Sequence, residues 1–282
     1  GHKQSVNTVD FSPNGTIVAT ASSDGTAKLW KSDGTLIATL QGHSDMVSDV
    51  DFSSDGTFVA TASHDQTAKI WKTDGTLVTT ISGSHRDAVF AVQISPDGNT
   101  VATASKDNTI KLWTKSGGLI ATLPGPETWV DWNIEFSSDG KSIVTSSRDA
   151  TAGLWESDGT PISTFSGHSG LVFTARISPD GKTIATASSD NSVKLWQSSS
   201  ELVTILNEHT DIVFNSPFSS DGKIIATASK DDTAKIWKSD GTLIATLKEH
   251  THDVQDVAFS PDDRSVIKSS QDGTIKLLNL DC

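Results

Sequence analysis

Short runs rich in apolar and small residues alternate along the chain with tight polar turns. Runs such as TIVATAS, Thr16 to Ser22, are β-branched or small and apolar on both faces, which predicts strands buried on both sides. The segments between them read SPNG, KSDG or SPDG, where Asn-Gly and Asp-Gly supply the backbone freedom that tight hairpins demand. Helix is scarce. The pattern predicts an all-β chain of short strands joined by hairpins.

The pattern repeats. ATASSDGTAKLW, ending at Trp30, returns as ATASHDQTAKIW at Trp71, ATASKDNTIKLW at Trp113 and VTSSRDATAGLW at Trp155. It returns again as ATASSDNSVKLW at Trp196, ATASKDDTAKIW at Trp237 and IKSSQDGTIKLL, with Leu278 in the Trp position. The steps are 41 or 42 residues, and each unit holds four strands, a to d. A four-stranded sheet with two buried faces needs a neighbour on each. Seven such sheets satisfy one another if they close into a ring, which leaves only short exposed edges. The expectation is one domain over 1–282, a seven-bladed β-propeller of four-stranded antiparallel blades. Its repeats run about 1–41, 42–82, 83–124, 125–166, 167–207, 208–248 and 249–282. The chain stops just after strand c of the seventh repeat, so the last blade is expected to lack its outer strand d, leaving a fragment edge or one that another segment completes.

A Gly-His start, an Asp turn and a Trp at this period resemble the WD-repeat β-propeller family over the whole chain. The resemblance implies a buried network of the His before strand a, a Thr in strand b, the Asp of the b–c turn and the Trp of strand c. Carried over, it takes His2, Thr20, Asp24 and Trp30, then His43, Thr61, Asp65 and Trp71, then His85, Thr103, Asp107 and Trp113. The fifth and sixth sets are His168, Thr186, Asp190 and Trp196, and His209, Thr227, Asp231 and Trp237. Departures are visible. No Trp of this slot is followed by Asp, repeat four has Gly125-Pro126-Glu127 in place of Gly-His, and repeat seven has Lys268 and Leu278 in the Thr and Trp slots. The strong likeness among repeats is similar to that of bacterial members of the family, where such propellers often follow a kinase or signalling ATPase. That implies one module of a larger multidomain protein.

Composition narrows the function. With 22 Lys plus Arg against 35 Asp plus Glu, the net charge is −13, which argues against nucleic acid as a partner. The single cysteine is Cys282, so neither a disulfide framework nor a thiolate metal cluster is expected. No apolar run is long enough to cross a bilayer, and Gly1-His2-Lys3-Gln4 is not the start of a signal peptide. A soluble, cytoplasmic protein without membrane contact is expected. No HExxH or GxSxG motif occurs, and six of the eight His occupy the repeat slot, leaving His64 and His252. No catalytic residue, metal or cofactor is assigned.

Residues the scaffold does not explain carry the functional reading. In the WD-repeat family, partner contacts often cluster where the d–a and b–c loops meet, at three slots per repeat. The slot three after the His holds Ser5, Met46, Ala88, Val130, Leu171, Ile212 and Asp253. The slot five after it holds Asn7, Ser48, Phe90, Trp132, Phe173, Phe214 and Gln255, with Glu127 aligned to the His position in repeat four. The slot before the turn Asp holds Ser23, His64, Lys106, Arg148, Ser189, Lys230 and Gln271. Aromatics therefore gather in repeats three to six, flanked by Met46, Leu171 and Ile212, with Trp129 nearby and Lys106, Arg148 and Lys230 among them. That combination is typical of a protein interface. The competing reading for the Phe residues is packing between blades or plugging the central channel, since they lie on strand a with Phe11 and Phe52. The leading expectation is a non-catalytic scaffold that binds protein or peptide partners on the loop face of repeats three to six. The alternatives are a reader of acidic or phosphorylated peptides at the channel mouth, held by the three cations, and a hydrolase with an unrecognised site.

Overall fold

The computed structural model describes residues 1–123, 130–260 and 262–280. Local chemistry sets the hairpins. In the second repeat Ser53 donates from Oγ to Asp55 Oδ1 at 2.6 Å, and the same carboxylate takes the Thr57 N–H at 2.9 Å. This pins the a–b turn. The b–c turn works likewise: Asp65 Oδ1 accepts the Thr67 N–H at 3.0 Å and its hydroxyl at 2.6 Å. The residue between them is forced to positive φ, and five repeats do this without glycine, at Gln66, Asn108, Ala150, Asn191 and Asp232.

The first sheet is β1 (Val6–Phe11), β2 (Ile17–Ser22), β3 (Ala27–Lys31) and β4 (Leu36–Leu40). The second is β5 (Val47–Phe52), β6 (Phe58–Ser63), β7 (Ala68–Lys72) and β8 (Leu77–Ile81). The third is β9 (Val89–Ile94), β10 (Thr100–Ser105), β11 (Ile110–Thr114) and β12 (Leu119–Leu123). β13 (Val130–Phe136), β14 (Ser142–Ser147), β15 (Thr151–Glu156) and β16 (Pro161–Ser166) make the fourth. β17 (Val172–Ile177), β18 (Thr183–Ser188), β19 (Val193–Gln197) and β20 (Leu202–Leu206) make the fifth. The sixth is β21 (Val213–Asn215), β22 (Ile224–Ser229), β23 (Ala234–Lys238) and β24 (Leu243–Leu247). β25 (Val254–Phe259), β26 (Ser265–Ser270) and β27 (Ile275–Asn279) complete the set. Strands follow chain order in every sheet and the described pairs are antiparallel; six sheets have four strands and the last has three. This is an all-β seven-bladed propeller fold, as the repeat predicts. Among the described residues there is no helix, and so none long and apolar enough to cross a membrane.

The chain forms two compact units, Gly1–Ser142 with Glu156–Thr160, and Ile143–Trp155 with Pro161–Cys282. Inside the first, Ala19, Ala27 and Leu29 of sheet one pack on Val47, Val50 and Phe52 of β5. The alanines of strand b let the next strand a approach closely, and burying each larger side chain is worth about 1.5–3 kcal/mol. The second unit repeats the scheme, with Ala185, Ala187 and Leu195 against Val213. A second seam lies along the c–d turns. Gly75 has a φ of 94°, and a Cβ there would come within 2.7 Å of the Ala38 Cβ. Gly159 stands in the same relation to Ala121, at 2.6 Å.

Sequence and structure part company in places. Strand a of repeat six is cut to three residues, because Pro217 has no N–H for the ladder and Asn215 Oδ1 takes the Ser216 N–H at 2.9 Å. β27 is the last strand of its sheet, with Ile275 and Leu277 exposed, whereas Ala27 and Leu29 in the same positions of β3 are buried.

Candidate functional site

The polar residues of the repeat are joined as the resemblance implies. In repeat two Trp71 Nε1 donates to Thr61 Oγ1 at 2.9 Å, Thr61 Oγ1 lies 2.8 Å from His43 Nε2, and His43 Nδ1 lies 2.8 Å from Asp65 Oδ2. The Ser44 N–H also reaches that carboxylate oxygen, at 3.0 Å. A neutral imidazole protonated on Nδ1 satisfies every member of this chain. Burial pushes the His43 imidazole pKa down in spite of Asp65, so the ring is held neutral. Burial alone would raise Asp65, yet bonds from Thr67, His43 and Ser44 outweigh it and hold the carboxyl below its ordinary range. The same balance brings Asp190 to about 2. Matching His–Thr contacts of 2.7–2.8 Å occur at His2, His85, His168 and His209. These groups are spent on one another, which makes them scaffold.

The predicted Trp burial holds for Trp71, Trp113, Trp196 and Trp237; Trp30 and Trp155 are only half-buried. The residue before the His does not decide this by itself, since Ser84 and Glu208 hold that place beside the buried Trp113 and Trp237. A Cβ on Gly42 would stand 3.5 Å from the Trp71 ring and one on Gly167 3.3 Å from Trp196, so the glycine backbone lies over the indole. Gly1 has nothing within 4 Å, and repeat four lacks the Gly-His pair. Repeat four keeps the Trp155 Nε1 bond to Thr145 at 3.0 Å; Gly125, Pro126 and Glu127 lie outside the described residues.

In repeat seven His250 still meets Asp272 at 2.8 Å, but its buried Nε2 has no partner. Lys268, in the Thr slot, is 1% exposed and places Nζ 3.2 Å from Glu249 Oε2. Lys276 adds a bond to the Glu249 carbonyl. A salt bridge from the middle strand of the sheet thus stands in place of the Thr–Trp half of the network.

One set of polar residues was not anticipated. Asp10 on β1 accepts the Phe52 N–H of the next sheet at 2.9 Å, and Asp51 accepts that of Ile94 at 2.6 Å. Gln93 does the same for Phe136 at 2.8 Å with a neutral acceptor. Asp49 accepts the N–H of Val92 at 3.0 Å. Burial pushes Asp49 up to about 6 and raises Asp10 and Asp51. The signal was the out-of-place acid in an apolar strand, VSDVDF. Further along, Arg176 Nε donates to Asn215 Oδ1 at 3.0 Å and Asn215 Nδ2 donates to Asp256 at 2.6 Å.

Two of the three loop slots are tied together in both units. The N–H of the residue before the turn Asp bonds the carbonyl of the residue three after the His: His64 to Met46 at 3.0 Å, Lys106 to Ala88 at 2.8 Å, Ser189 to Leu171 at 2.9 Å and Lys230 to Ile212 at 2.9 Å. The middle slot joins in repeat one, where Ser23 Oγ lies 3.1 Å from Asn7 Oδ1. In the first unit Met46 is half-buried and Lys106 exposed. Phe90, however, is only 9% exposed, because β9 packs between β5 and β13; the packing reading applies to it. In the second unit Leu171, Phe173, Ile212 and Phe214 are half-buried, while Arg148 and Lys230 are exposed. The Phe173 and Phe214 rings meet edge to face, centroids 5.6 Å apart at 73°. Trp129 lies outside the described residues, as does the side chain of Trp132 on β13.

Among the described residues no group of three or more His, Cys, Asp or Glu is placed to hold a metal ion. Comparison with known proteins bears on the whole chain. The sequence profile described as "WD domain, G-beta repeat" (WD40) matches seven times, at residues 1–31, 34–72, 75–114, 117–156, 159–197, 200–238 and 241–279. Over 41 residues the chain is 56% identical to the U4/U6 small nuclear ribonucleoprotein PRP4-like protein of Arabidopsis thaliana, a match covering 14% of this chain and 7% of that protein. The repeated His–Thr–Trp–Asp network and the seven profile matches together make this chain a member of the WD-repeat (WD40) family.

Proposed function

We propose that this chain is a non-catalytic protein-interaction scaffold, and that it binds through the loop face of its middle repeats. The observation that carries the reading is the half-exposed Phe173–Phe214 pair, set among Leu171, Ile212, Arg148 and Lys230. The scaffold has no use for these side chains, since the same slots hold Ser5, Asn7 and Ser23 in repeat one. Propellers of this family typically serve as interaction scaffolds, and the Arabidopsis protein that shares 41 residues with this chain is called a small nuclear ribonucleoprotein PRP4-like protein. The net charge of −13 favours protein over nucleic acid as the direct partner, and a cytoplasmic module of a larger protein fits the composition. Lys106 and Met46 extend the proposal to repeats three and two, each judged within its own unit.

The test is affinity capture with the purified chain, followed by identification of the retained proteins. Phe173→Ala, Phe214→Ala and Arg148→Ala together should weaken retention at least about tenfold, as loss of interface anchors does. Ser5→Ala with Gln255→Ala should leave it intact. Equal retention by the triple variant would place the site elsewhere.

A further inference from the structure

We propose that the Asn14–Gly15 peptide is a self-modifying site, at which loss of ammonia converts the one amide of the a–b turns into the aspartate that the other six repeats carry there. The slot two residues after the turn Ser holds Asp55, Asp97, Asp139, Asp180, Asp221 and Asp262 in repeats two to seven. Of the nine Asn residues, Asn14 alone is followed by Gly; the other eight precede Thr, Ser, Ile, Glu or Leu. Glycine matters because the nitrogen of the next residue is the nucleophile, and a side chain beside it would crowd the attack.

The turn prepares the reaction. Ser12 Oγ, the Thr16 N–H and Thr16 Oγ1 all donate to Asn14 Oδ1, at 2.9, 3.0 and 2.7 Å. Three donors on one amide oxygen draw charge from Cγ and stabilise the oxyanion that forms when Cγ is attacked. Every described bond to this side chain falls on Oδ1, which leaves the departing Nδ2 to solvent on an exposed residue. Gly15 has a φ of 68°, and nothing lies within 4 Å of where its Cβ would stand, so water and hydroxide reach the peptide. The Gly15 N–H is held by the Ser12 carbonyl at 2.7 Å, and that bond must open before base takes the proton.

Hydroxide removes the Gly15 amide proton, the bond from that nitrogen to Asn14 Cγ forms, the Cγ–Nδ2 bond breaks, and ammonia leaves with a proton from water. Water then opens the cyclic imide at one of its two carbonyls. Opening at Cγ gives aspartate, whereas opening at the main-chain carbonyl gives isoaspartate, with one more carbon in the backbone. One water is consumed, one ammonia is released, and no electrons change hands. The turn selects between the products. Aspartate keeps the three bonds, as Asp55 does with Ser53 Oγ at 2.6 Å and with the Thr57 N–H and Oγ1 at 2.9 and 2.7 Å. Ser53 and Thr57 hold the Asp55 carboxyl down at about 2, so this setting favours the carboxylate. Isoaspartate shortens the side chain by one carbon and lengthens the main chain by one, which takes the acid away from these donors and the Gly15 N–H away from Ser12. It returns through the imide, and aspartate accumulates.

Incubation of the purified chain in mildly alkaline buffer, followed by isoelectric focusing and by mass spectrometry of proteolytic fragments, tests this. A species with one more negative charge should appear, the amide-to-acid mass change should fall on Asn14 before any other Asn, and fragmentation should identify aspartate as the main product. The same incubation in concentrated urea should give isoaspartate in excess, because no turn then selects. Thr16→Val, which removes one donor, should slow the change at Asn14 severalfold in the native chain and raise the share of isoaspartate. Asn14→Asp should melt at a higher temperature than the parent. A native chain that keeps Asn14 while other Asn residues react would overturn the site, and so would a faster reaction in Thr16→Val. A product ratio that is the same with and without urea, or an Asn14→Asp variant that melts no higher, would overturn the selection of aspartate by the turn.

Discussion

Asp49 accepts the backbone N–H of Val92 at 3.0 Å, reaching from the second sheet to the third. Asn133 and Asn215 occupy the same position in repeats four and six, where Asn215 Oδ1 takes the Ser216 N–H and its Nδ2 donates to Asp256. Burial pushes the Asp49 carboxyl up to about 6, above its unfolded value near 3.9. Its protonated form is therefore favoured by folding, and stability is lost as pH rises from about 4 through about 6. Asp49→Asn removes the buried charge but leaves one oxygen for the Val50 and Val92 N–H groups that Oδ1 and Oδ2 of Asp49 accept, so stability at pH 7 should change by less than about 1 kcal/mol. It should also flatten the pH dependence in that window. Chemical denaturation at pH 4.5 and pH 7 measures both, and an Asn variant whose stability falls with pH as steeply as the parent's would refute the assignment.

The His–Asp pair has the opposite sign. Both the His43 imidazole and the Asp65 carboxyl are lowered by folding, so the stability they carry is complete above about pH 6.5 and is lost as acid protonates the unfolded chain first. Asp65→Ala leaves the Ser44 and Thr67 N–H groups and His43 Nδ1 without their acceptor. The cost should be about 1–3 kcal/mol. Measuring the unfolding midpoint between pH 7 and pH 4 in an Asp49→Asn background separates the two effects. An unchanged midpoint at pH 7 would contradict the network.

Ala150 holds a φ of 70°, imposed by Asp149, whose Oδ1 takes the Thr151 N–H at 3.0 Å. Left-handed backbone costs an L-residue about 1–2 kcal/mol, and repeats one and seven avoid it with Gly25 and Gly273. Ala150→Gly should stabilise by about 0.5–1 kcal/mol despite the added chain entropy, and Ala150→Val should destabilise by at least as much. Thermal melts of the two variants must move in opposite directions.

The fold was legible because period and turn chemistry agree in repeats one to six, with only Asp262-Asp263 departing at the a–b turn of repeat seven. DG and NG fix the a–b hairpins, and the Ala-Thr-Ala-Ser strands admit only burial on both faces. The exposure of single aromatics was not legible. Phe90 and Phe214 occupy the same slot, but Phe90 is enclosed between neighbouring a strands while Phe214 sits where β21 is cut short before Pro217. Side-chain exposure there depends on the neighbouring sheet, which a repeat-by-repeat reading does not contain. The buried acids Asp49 and Asp51 were missed for the same reason, since their partners are backbone N–H groups one repeat away.

Repeat seven offers the sharpest test of how the network works. Lys268 takes the Thr position, is buried, and pairs with Glu249, whereas the buried Nε2 of His250 faces no donor. In repeat six the same Glu-His start, Glu208-His209, coexists with Thr227 and Trp237 bonded at 3.0 Å, so Glu249 is no obstacle to the full set. Lys268→Thr supplies the hydroxyl that Nε2 lacks but forfeits the salt bridge and the packing of the lysine stem. Alone it should be neutral or destabilising by about 1 kcal/mol. Leu278→Trp alone brings an indole N–H with no hydroxyl to receive it. Together the two substitutions rebuild the chain from Trp through Thr and His250 to Asp272, and their effects should be non-additive by about 1–3 kcal/mol in favour of the double variant. Hydrogen exchange in β25, β26 and β27 should slow in step. If the double variant is no more than the sum of its parts, the Thr–His–Trp contacts of the other repeats do not act as a cooperative unit.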